Sequence, residues 1–203
     1  MNMKNKPLKS VADGLINTDF TSPTEIVGVM KGDITELAVD LIVNSAHPTL
    51  LAGSGVCGAI HKAAGKELEK ECKIIVGDHL SGQLALTQGY NLKAGFVLHI
   101  IVPQAKERGK LSASEKETLI NCYKEAIYTA NRCGMKSIAF PSLGTGVRGY
   151  PIKEMSELAV KTVITYLGEF HPTAFSRVCF ITHSEEDYIA YQNAYKNYLK
   201  NIK

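Results

Sequence analysis

Long apolar runs and paired cysteines are both missing from this sequence of 203 residues. No segment approaches the roughly 18 consecutive apolar residues that a membrane-spanning helix needs. The stretch from Met1 to Phe20 contains lysines but lacks the apolar core of a signal peptide. Five cysteines are scattered without a Cys-x-x-Cys pair, which disfavours a disulfide framework and a zinc site. We therefore expect a cytoplasmic protein with reduced, mostly buried thiols, no membrane association and no bound metal.

The charge balance is close to neutral. The formal net charge is +3 and the sequence pI is about 8.5, too small an excess for the dense Lys/Arg face of a duplex-binding protein. A solvated surface with slightly more lysine also explains this balance. The charge therefore favours a small anionic ligand over a nucleic acid. With 45% hydrophobic and 21% charged residues, the chain has the composition of one globular domain.

From about Thr24 onward, short β-rich runs alternate with longer helical patterns, which is typical of βα units around a largely parallel sheet. Six segments are candidate strands: Glu25–Met30, Leu41–Asn44, Leu84–Thr87, Phe96–Val102, Ser137–Pro141 and Arg177–Thr182. Residues 1–23 do not follow the alternation. We therefore predict an N-terminal extension over residues 1–23 and one α/β domain over residues 24–203.

Three longer segments have apolar residues at the three- and four-residue spacing of a helix. The first covers residues 112–133 and ends at Gly134, and the second follows Pro151 and is expected to stop at Gly168. The third, over about residues 184–199, carries a stripe of four tyrosines: Tyr188, Tyr191, Tyr195 and Tyr198. Such a stripe is compatible with a base-stacking platform, but it is more typical of a helix face packed on a sheet.

Two glycine-rich segments match the pattern Gly-x-Gly-x-x-Gly, at Gly53–Gly58 and Gly144–Gly149. Each lies between a predicted strand and a predicted helix. Without Cβ, such loops turn sharply and bring backbone N–H groups close to an anion, and a helix N-terminus adds to the attraction for phosphate. Two such loops could grip a diphosphate, although tight βα turns would also explain the glycines. A Rossmann dinucleotide site fits poorly, because residues 45–52 separate the first loop from its strand.

Several longer motifs occur in order between residues 26 and 199. They are Gly-Asp-Ile-Thr at 32–35, Val-Asp-Leu-Ile-Val-Asn-Ser-Ala at 39–46, Gly-Ala-Ile-His-Lys-Ala-Ala-Gly at 58–65, Phe-Pro-Ser-Leu-Gly-Thr-Gly at 140–146 and Gly-Tyr-Pro at 149–151. Together they resemble the macrodomain family, and most closely the bacterial hydrolytic, Appr-1-p-processing-like members. The resemblance implies a three-layer α/β/α sandwich with a central mixed, mostly parallel six-stranded sheet and an ADP-ribose cleft at the strand ends.

The resemblance also implies roles for individual residues. Asp33, as a buried carboxylate, and the backbone of Ile34 would bind adenine, with a turn or helix cap as the alternative role of Asp33. Asn44 would face the distal ribose. The remaining contacts to phosphate, ribose and adenine would come from the two glycine loops and from the end of the last strand: Ser54, Gly55, Val56, Gly144, Thr145, Gly146, Val147, Arg148 and His183.

Two positions depart from the hydrolytic members that the chain resembles. Those members carry a second Asn in Asn-Ala-Ala-Asn and an Asp in Gly-Gly-Val-Asp-Gly, where this sequence has His47 and Cys57. A neutral thiol cannot act as an ordinary general base. A thiolate at a helix N-terminus or a titrating His47 could nevertheless be catalytic together with Asn44, and a Cys/His pair could be nucleophilic. Packing of Cys57 under the loop is the alternative.

The resemblance implies an enzyme without a cofactor whose ligand is ADP-ribose. We expect hydrolysis of mono-ADP-ribosyl esters on proteins or of O-acetyl-ADP-ribose. The departures keep open a non-catalytic reader of ADP-ribose or ADP-ribosylated protein, and a phosphatase acting on ADP-ribose 1″-phosphate is the third hypothesis. Arg148 replaces an aromatic residue of many relatives and would contact phosphate, a protein-linked carboxylate or solvent. His61 shares a helical face with Cys57, but the pair offers too few ligands for a metal. We expect a monomer.

Overall fold

The computed structural model describes residues 22–77, 84–170 and 175–202. The described residues form six strands: β1 Val27–Lys31, β2 Leu41–Ala46, β3 Leu84–Gln88, β4 Phe96–Ile101, β5 Ser137–Pro141 and β6 Arg177–Thr182. They also form six α-helices: α1 Pro23–Ile26, α2 Gly55–Ala64, α3 Lys66–Gly77, α4 Ala113–Arg132, α5 Ile152–Phe170 and α6 Glu185–Asn201. Residues 1–21, most of the predicted N-terminal extension, lie outside the described residues.

The six strands form one mixed sheet in the order β1-β6-β5-β2-β4-β3. Every neighbouring pair is parallel except β3 and β4, which are antiparallel. The register places Asn44 of β2 opposite His99 of β4, and Thr87 of β3 opposite Val97 of β4. The five parallel strands all direct their carboxyl ends to one edge of the sheet. The predicted mixed, mostly parallel six-stranded sheet is confirmed.

Helices cover both faces of this sheet. Successive residues of a strand point to opposite faces, and β2 shows the consequence. Leu41 and Val43 belong to a buried cluster that includes side chains of α4, α5 and α6. Ile42 and Ala46 belong to a second buried cluster, which includes side chains of α2 and α3. The chain is therefore a three-layer α/β/α sandwich, as expected.

Two helices show why their sequences fold as predicted. Helix α4 begins with a capping box, in which the Ser112 hydroxyl accepts from the N–H of Glu115 and the Glu115 carboxylate accepts from the N–H of Ser112. It is followed by Gly134, whose φ of 70° suits glycine. On α6, Tyr191 is fully buried and the other three tyrosines of the stripe pack against the same core. The helix-packing interpretation of the tyrosine stripe is confirmed.

The beginning of the first predicted strand is wrong. Residues 25 and 26 belong to helix α1, and β1 starts at Val27. The hydroxyl of Ser22 accepts a hydrogen bond from the N–H of Thr24, and Pro23 takes the first helical position. A serine cap followed by proline is a helix start signal, and here it outweighs the β-rich composition of the residues that follow.

The predicted end of α5 is also wrong, because the helix continues through Gly168 to Phe170. A glycine inside a helix costs only about 1 kcal/mol, and α5 packs closely against α1 at this point. A Cβ on Gly168 would lie 3.6 Å from Cγ of Pro23.

Within residues 22–77, 84–170 and 175–202, no helix combines the length and the apolarity needed to cross a membrane.

Candidate functional site

A cleft of about 450 Å³ opens at the carboxyl ends of the parallel strands. Seven of the predicted binding residues line it: Asp33, Ile34, Gly55, Val56, Thr145, Gly146 and His183. Seven further lining residues were not among the predicted site residues: Gly32, Ala59, Pro141, Ser142, Ile181, Ser184 and Asp187. Both glycine loops therefore face one cleft, which is the arrangement required for two loops to hold one diphosphate. Open α/β sheets bind ligands at this edge.

The first glycine loop leads into the N-terminus of α2. Gly58 lies in the first turn of that helix, and a Cβ there would lie 2.3 Å from the carbonyl oxygen of Gly53, so the loop can fold onto the helix only because residue 58 is glycine. Ser54 is the N-cap residue, but its side chain makes no capping hydrogen bond. The first-turn N–H groups, including those of Gly55 and Val56, have no partner within the helix. They can donate to an anion in the cleft.

The second glycine loop joins β5 to α5 and closes on itself. The N–H of Tyr150 donates to the Gly144 carbonyl over 3.1 Å. Gly144 has a φ of 78°, and a Cβ there would lie 2.7 Å from Cδ2 of Tyr150. The segment after β4 supports the loop, because Nε2 of Gln104 donates to the carbonyls of Val147 and Arg148 over 3.1 Å each. The loop is therefore held in place before any ligand binds.

Arg148 joins the second loop to the end of β2. Its Nη2 donates to the carbonyl of Ala46, the last residue of β2, over 2.9 Å. Neither Arg148 nor Val147 lines the cleft, and Val147 is 66% exposed. Phosphate, a protein-linked carboxylate and solvent were left open for Arg148, and this nitrogen contacts none of them. Nη2 donates to a backbone carbonyl instead, and this bond holds the second loop to the end of β2.

One end of the cleft is formed by the residues after β1 and β6. Asp33 is exposed, not buried as expected from the resemblance. Its Oδ1 accepts from the N–H and hydroxyl of Thr35 over 2.9 and 2.8 Å, so it caps the 3-10 turn at Ile34–Glu36. The cap alternative is therefore realised, while the adenine role stays a prediction. His183 is exposed beside Asp187, which lies in the first turn of α6.

The end of β2 lies outside the lining of this cleft, and neither Asn44 nor Cys57 is among the lining residues. Strands β1 and β2 lie three positions apart in the sheet, which at about 4.8 Å per strand separates their carboxyl ends by roughly 14 Å. The predicted adenine residues follow β1, and Asn44 lies near the end of β2. Only an elongated ligand lying across the strand ends could contact both. The two glycine loops approach the cleft between these ends.

Asn44 and Cys57 meet at the β2 end. Asn44 is fully buried, and its Nδ2 lies 3.6 Å from Sγ of Cys57 and 3.1 Å from Nδ1 of His99. The Cys57 thiol points to the carbonyl of Leu51 at 3.7 Å, so it acts as a hydrogen-bonding thiol inside the first turn of α2. Oδ1 of Asn44 is buried without a hydrogen-bond partner among the described residues. It is an acceptor without a donor.

His47 is exposed and belongs to a local turn. Its Nδ1 accepts from the N–H of Thr49 over 3.3 Å and lies 2.9 Å from the Thr49 hydroxyl. Among the described hydrogen bonds, none joins His47 to Cys57. The nucleophilic Cys/His pair is thus not formed in this structure, because His47 uses its Nδ1 on the backbone of its own turn.

A second histidine cluster lies beneath the β2 end. His61, Cys72 and His99 are buried, and one candidate metal-ligand atom from each lies within 4.8 Å of the others. Burial lowers the pKa of His61 despite nearby Glu69, and burial together with His61 lowers the pKa of His99 to about 3. Both imidazoles are therefore neutral at physiological pH. Both nitrogens of His99 already have hydrogen-bond partners, so a metal would have to displace one of these bonds.

Comparison with known proteins identifies the family. The sequence model of the Macro domain family matches residues 43–159, more than half of the chain. The chain is a macrodomain. It is 39% identical to the O-acetyl-ADP-ribose deacetylase of Klebsiella pneumoniae over 84% of this chain and 96% of that protein. It is also 39% identical to human ADP-ribose glycohydrolase MACROD2, over 87% of this macrodomain but only 42% of the human protein.

The family also includes solved structures with nucleotides. The Oceanobacillus iheyensis macrodomain with ADP has a TM-score of 0.77 and 34% identity to this macrodomain, with 85% of this chain and 91% of that chain covered. The predicted family and fold are therefore confirmed.

The sequence did not single out Ser184 and Asp187, although a serine three residues before an acidic residue is a helix start signal. Helix α6 begins directly after β6, so this helix start signal also indicates residues at the edge of the cleft.

Proposed function

We propose that this macrodomain binds ADP-ribose across its strand ends and hydrolyses O-acetyl-ADP-ribose or mono-ADP-ribosyl esters on proteins. The observation that carries the proposal is that both glycine loops, with the uncapped N-terminus of α2, line one cleft. Backbone N–H groups aimed at one volume suit a diphosphate. The names of the deacetylase and glycohydrolase relatives support the reaction class.

The ligand would lie with adenine at the β1 and β6 end and the distal ribose at Asn44. The cleft residues at the adenine end include Ile34 and Ile181, whose side chains offer apolar contact to a base. The diphosphate would accept from the N–H groups of the first turn of α2 and from the loop at Thr145 and Gly146. The roughly 14 Å between the strand ends separates base and distal ribose.

Ester hydrolysis needs a placed water and a group that takes its proton. Cys57 is engaged as a thiol with Leu51, and His47 is engaged with Thr49. The acidic residues that line the cleft, Asp33 and Asp187, follow β1 and β6, away from Asn44. The diphosphate of the substrate would then be the nearest anionic group to the distal ribose. We place the water between the two, oriented by a diphosphate oxygen that accepts its proton as the water attacks the ester carbonyl, and the leaving ribose oxygen takes up a proton in turn.

The test has a binding arm and a turnover arm. Calorimetry measures affinity for ADP-ribose, and release of ADP-ribose is followed from O-acetyl-ADP-ribose and from protein esterified with ADP-ribose on glutamate. Binding with turnover of either ester above the buffer rate is the expected result. Absence of ADP-ribose binding would refute the whole proposal, because every step requires an occupied cleft.

A non-catalytic reader is the second candidate, favoured by the engaged states of His47 and Cys57. It predicts ADP-ribose binding without turnover of either ester. The single variants His47→Ala and Cys57→Ala sharpen the distinction. If the substrate orients the water, each variant keeps more than about a tenth of the wild-type rate, whereas loss of a general base typically costs 10²–10⁴-fold. Such a loss in Cys57→Ala would show that the thiol takes part in the chemistry.

A further inference from the structure

The hydrogen bonds beneath Asn44 have a direction that can be read from the partners. Thr87 is 1% exposed, and its hydroxyl donates to the carbonyl of Val97 over 3.4 Å. A hydroxyl has one proton, so with that proton on the Val97 carbonyl the Thr87 oxygen accepts toward His99. Nε2 of His99 lies 3.0 Å from that oxygen, and Nδ2 of Asn44 faces Nδ1. In this arrangement Nε2 of His99 carries the ring proton.

The role of the other ring nitrogen, Nδ1, follows from the neutral state of the His99 ring. A neutral imidazole has one N–H and one lone pair, and burial keeps the His99 ring neutral, since its pKa is lowered to about 3. With the proton on Nε2, Nδ1 is an acceptor. The group of Asn44 that faces it over 3.1 Å must then be the amide NH₂. The second N–H of this amide points to Sγ of Cys57, so both Asn44 donors are used inside the protein.

We propose that His99 and Thr87 are positioning residues that lock the Asn44 amide with Oδ1 free, so that Asn44 acts on the distal ribose only as a hydrogen-bond acceptor. The inference rests on the proposed function, because it names what this side chain contributes to ADP-ribose binding. Oδ1 is the one Asn44 atom without a partner among the described residues. A ribose hydroxyl supplies the missing donor, and neither the adenosine nor the diphosphate part of the ligand is involved.

The relay is the hydrogen-bonded series Thr87–His99–Asn44, and the sheet register explains why it is rigid. Asn44 and His99 are direct neighbours on β2 and β4, and Thr87 lies two residues along β3 from Ala85, the direct neighbour of His99. All three relay side chains are at most 1% exposed. The two relay bonds are therefore shielded from solvent in the free protein, and the amide of Asn44 cannot exchange its two ends without breaking them.

The experiment compares the affinities of ADP-ribose and ADP by calorimetry, using chelator-treated protein so that no metal occupies the histidine cluster. Thr87→Val removes the acceptor for Nε2 while nearly keeping the shape of the side chain. The Kd for ADP-ribose should rise about three- to tenfold, the loss of one hydrogen bond, with the Kd for ADP unchanged within about twofold. Thr87→Ser, which keeps the hydroxyl, should restore the wild-type ratio.

Cys72→Ala is the matched control, because Sγ of Cys72 also lies near Nε2 of His99, at 3.9 Å. It should leave the ratio of the two Kd values unchanged. A Thr87→Val variant that weakens both ligands equally, or neither, would overturn the proposal, since the proposal assigns Thr87 an effect on the distal ribose alone.

A second measurement is independent of ligand binding. Long-range ¹H–¹⁵N spectra of the imidazole side chains report which ring nitrogen carries the proton. Wild-type protein should show His99 protonated on Nε2 only, with a signal that changes in Thr87→Val. Protonation on Nδ1 would overturn the proposal even if ADP-ribose binds. If neither nucleotide binds while Nε2 is protonated, the relay stands and it is the proposed function that fails.

Discussion

Replacing Gly58 by alanine perturbs the cleft through one contact. The new Cβ would lie 2.3 Å from the carbonyl oxygen of Gly53 and 3.3 Å from its carbonyl carbon. Both atoms are backbone, so loop and helix must separate by roughly 1 Å to reach van der Waals distance. Overpacking of this kind costs about 1–3 kcal/mol, and alanine regains about 1 kcal/mol over glycine inside a helix. The unfolding free energy of Gly58→Ala should therefore fall by about 0–2 kcal/mol.

Ligand binding should suffer more than stability. The displaced loop carries Gly55 and Val56, which line the cleft. A hydrogen bond to a charged group contributes about 1.5–3 kcal/mol, so the loss of one amide contact to the diphosphate weakens binding about ten- to hundredfold. Calorimetry with ADP measures this loss at the diphosphate alone. Urea unfolding of the same sample gives the change in stability.

Gly53→Ala is the matched control in the same loop. A Cβ on Gly53 meets only Sγ of Cys57, at an ordinary 3.9 Å. Its Kd for ADP should stay within about threefold of wild type. Wild-type affinity in Gly58→Ala, or an equal loss in both variants, would refute the reasoning, because the first loop would then not depend on its close approach to α2.

Three further predictions concern the scaffold. The Asp40 carboxylate accepts from two backbone N–H groups and the Ser137 hydroxyl at the start of β5, so Asp40→Ala should lower the urea unfolding free energy by about 1–3 kcal/mol with unchanged ADP affinity. Hydrogen bonds from the N-cap serine hydroxyl of α4 and from backbone amides lower the pKa of Glu115 to about 2. The free energy that the Glu115 carboxylate contributes to folding is therefore fully present above about pH 4.5 and is lost as the pH falls toward 2. In Glu115→Gln, the unfolding free energy should depend less on pH in that window. Arg148→Ala removes the bond to Ala46, and calorimetry should show ADP-ribose weakened about two- to fivefold, with ADP less affected.

Much of the sheet could be predicted because buried strands produce a short-range signal. Strands that are covered on both faces read as apolar runs, and the predicted bounds of Ser137–Pro141 and Arg177–Thr182 match β5 and β6. The glycine loops were also visible, since glycine at Gly58 and Gly144 is required by contacts within one loop. Features that depend on short-range contacts can therefore be recognised from the local sequence.

Other features depend on contacts between distant segments. Nothing in the sequence near Asn44 shows that it meets His99, because only the strand order and register bring them together. Helix α3 was not predicted, although Leu68, Cys72 and Ile75 recur at helical spacing among its charged residues. The exposed state of Asp33 contradicts the expectation of a buried carboxylate, because its side chain is used on the turn that follows.

The two parts of the proposed ligand would be held by different kinds of groups, and this separates binding from catalysis. Backbone N–H groups would hold the diphosphate, and they are insensitive to side-chain changes such as those at His47 and Cys57. The distal ribose would meet Asn44, whose orientation depends on buried side chains of two neighbouring strands. A chain can therefore keep its affinity for ADP while its handling of the distal ribose changes. Affinity for ADP-ribose relative to ADP, measured beside turnover, is what distinguishes an enzyme from a reader on this scaffold.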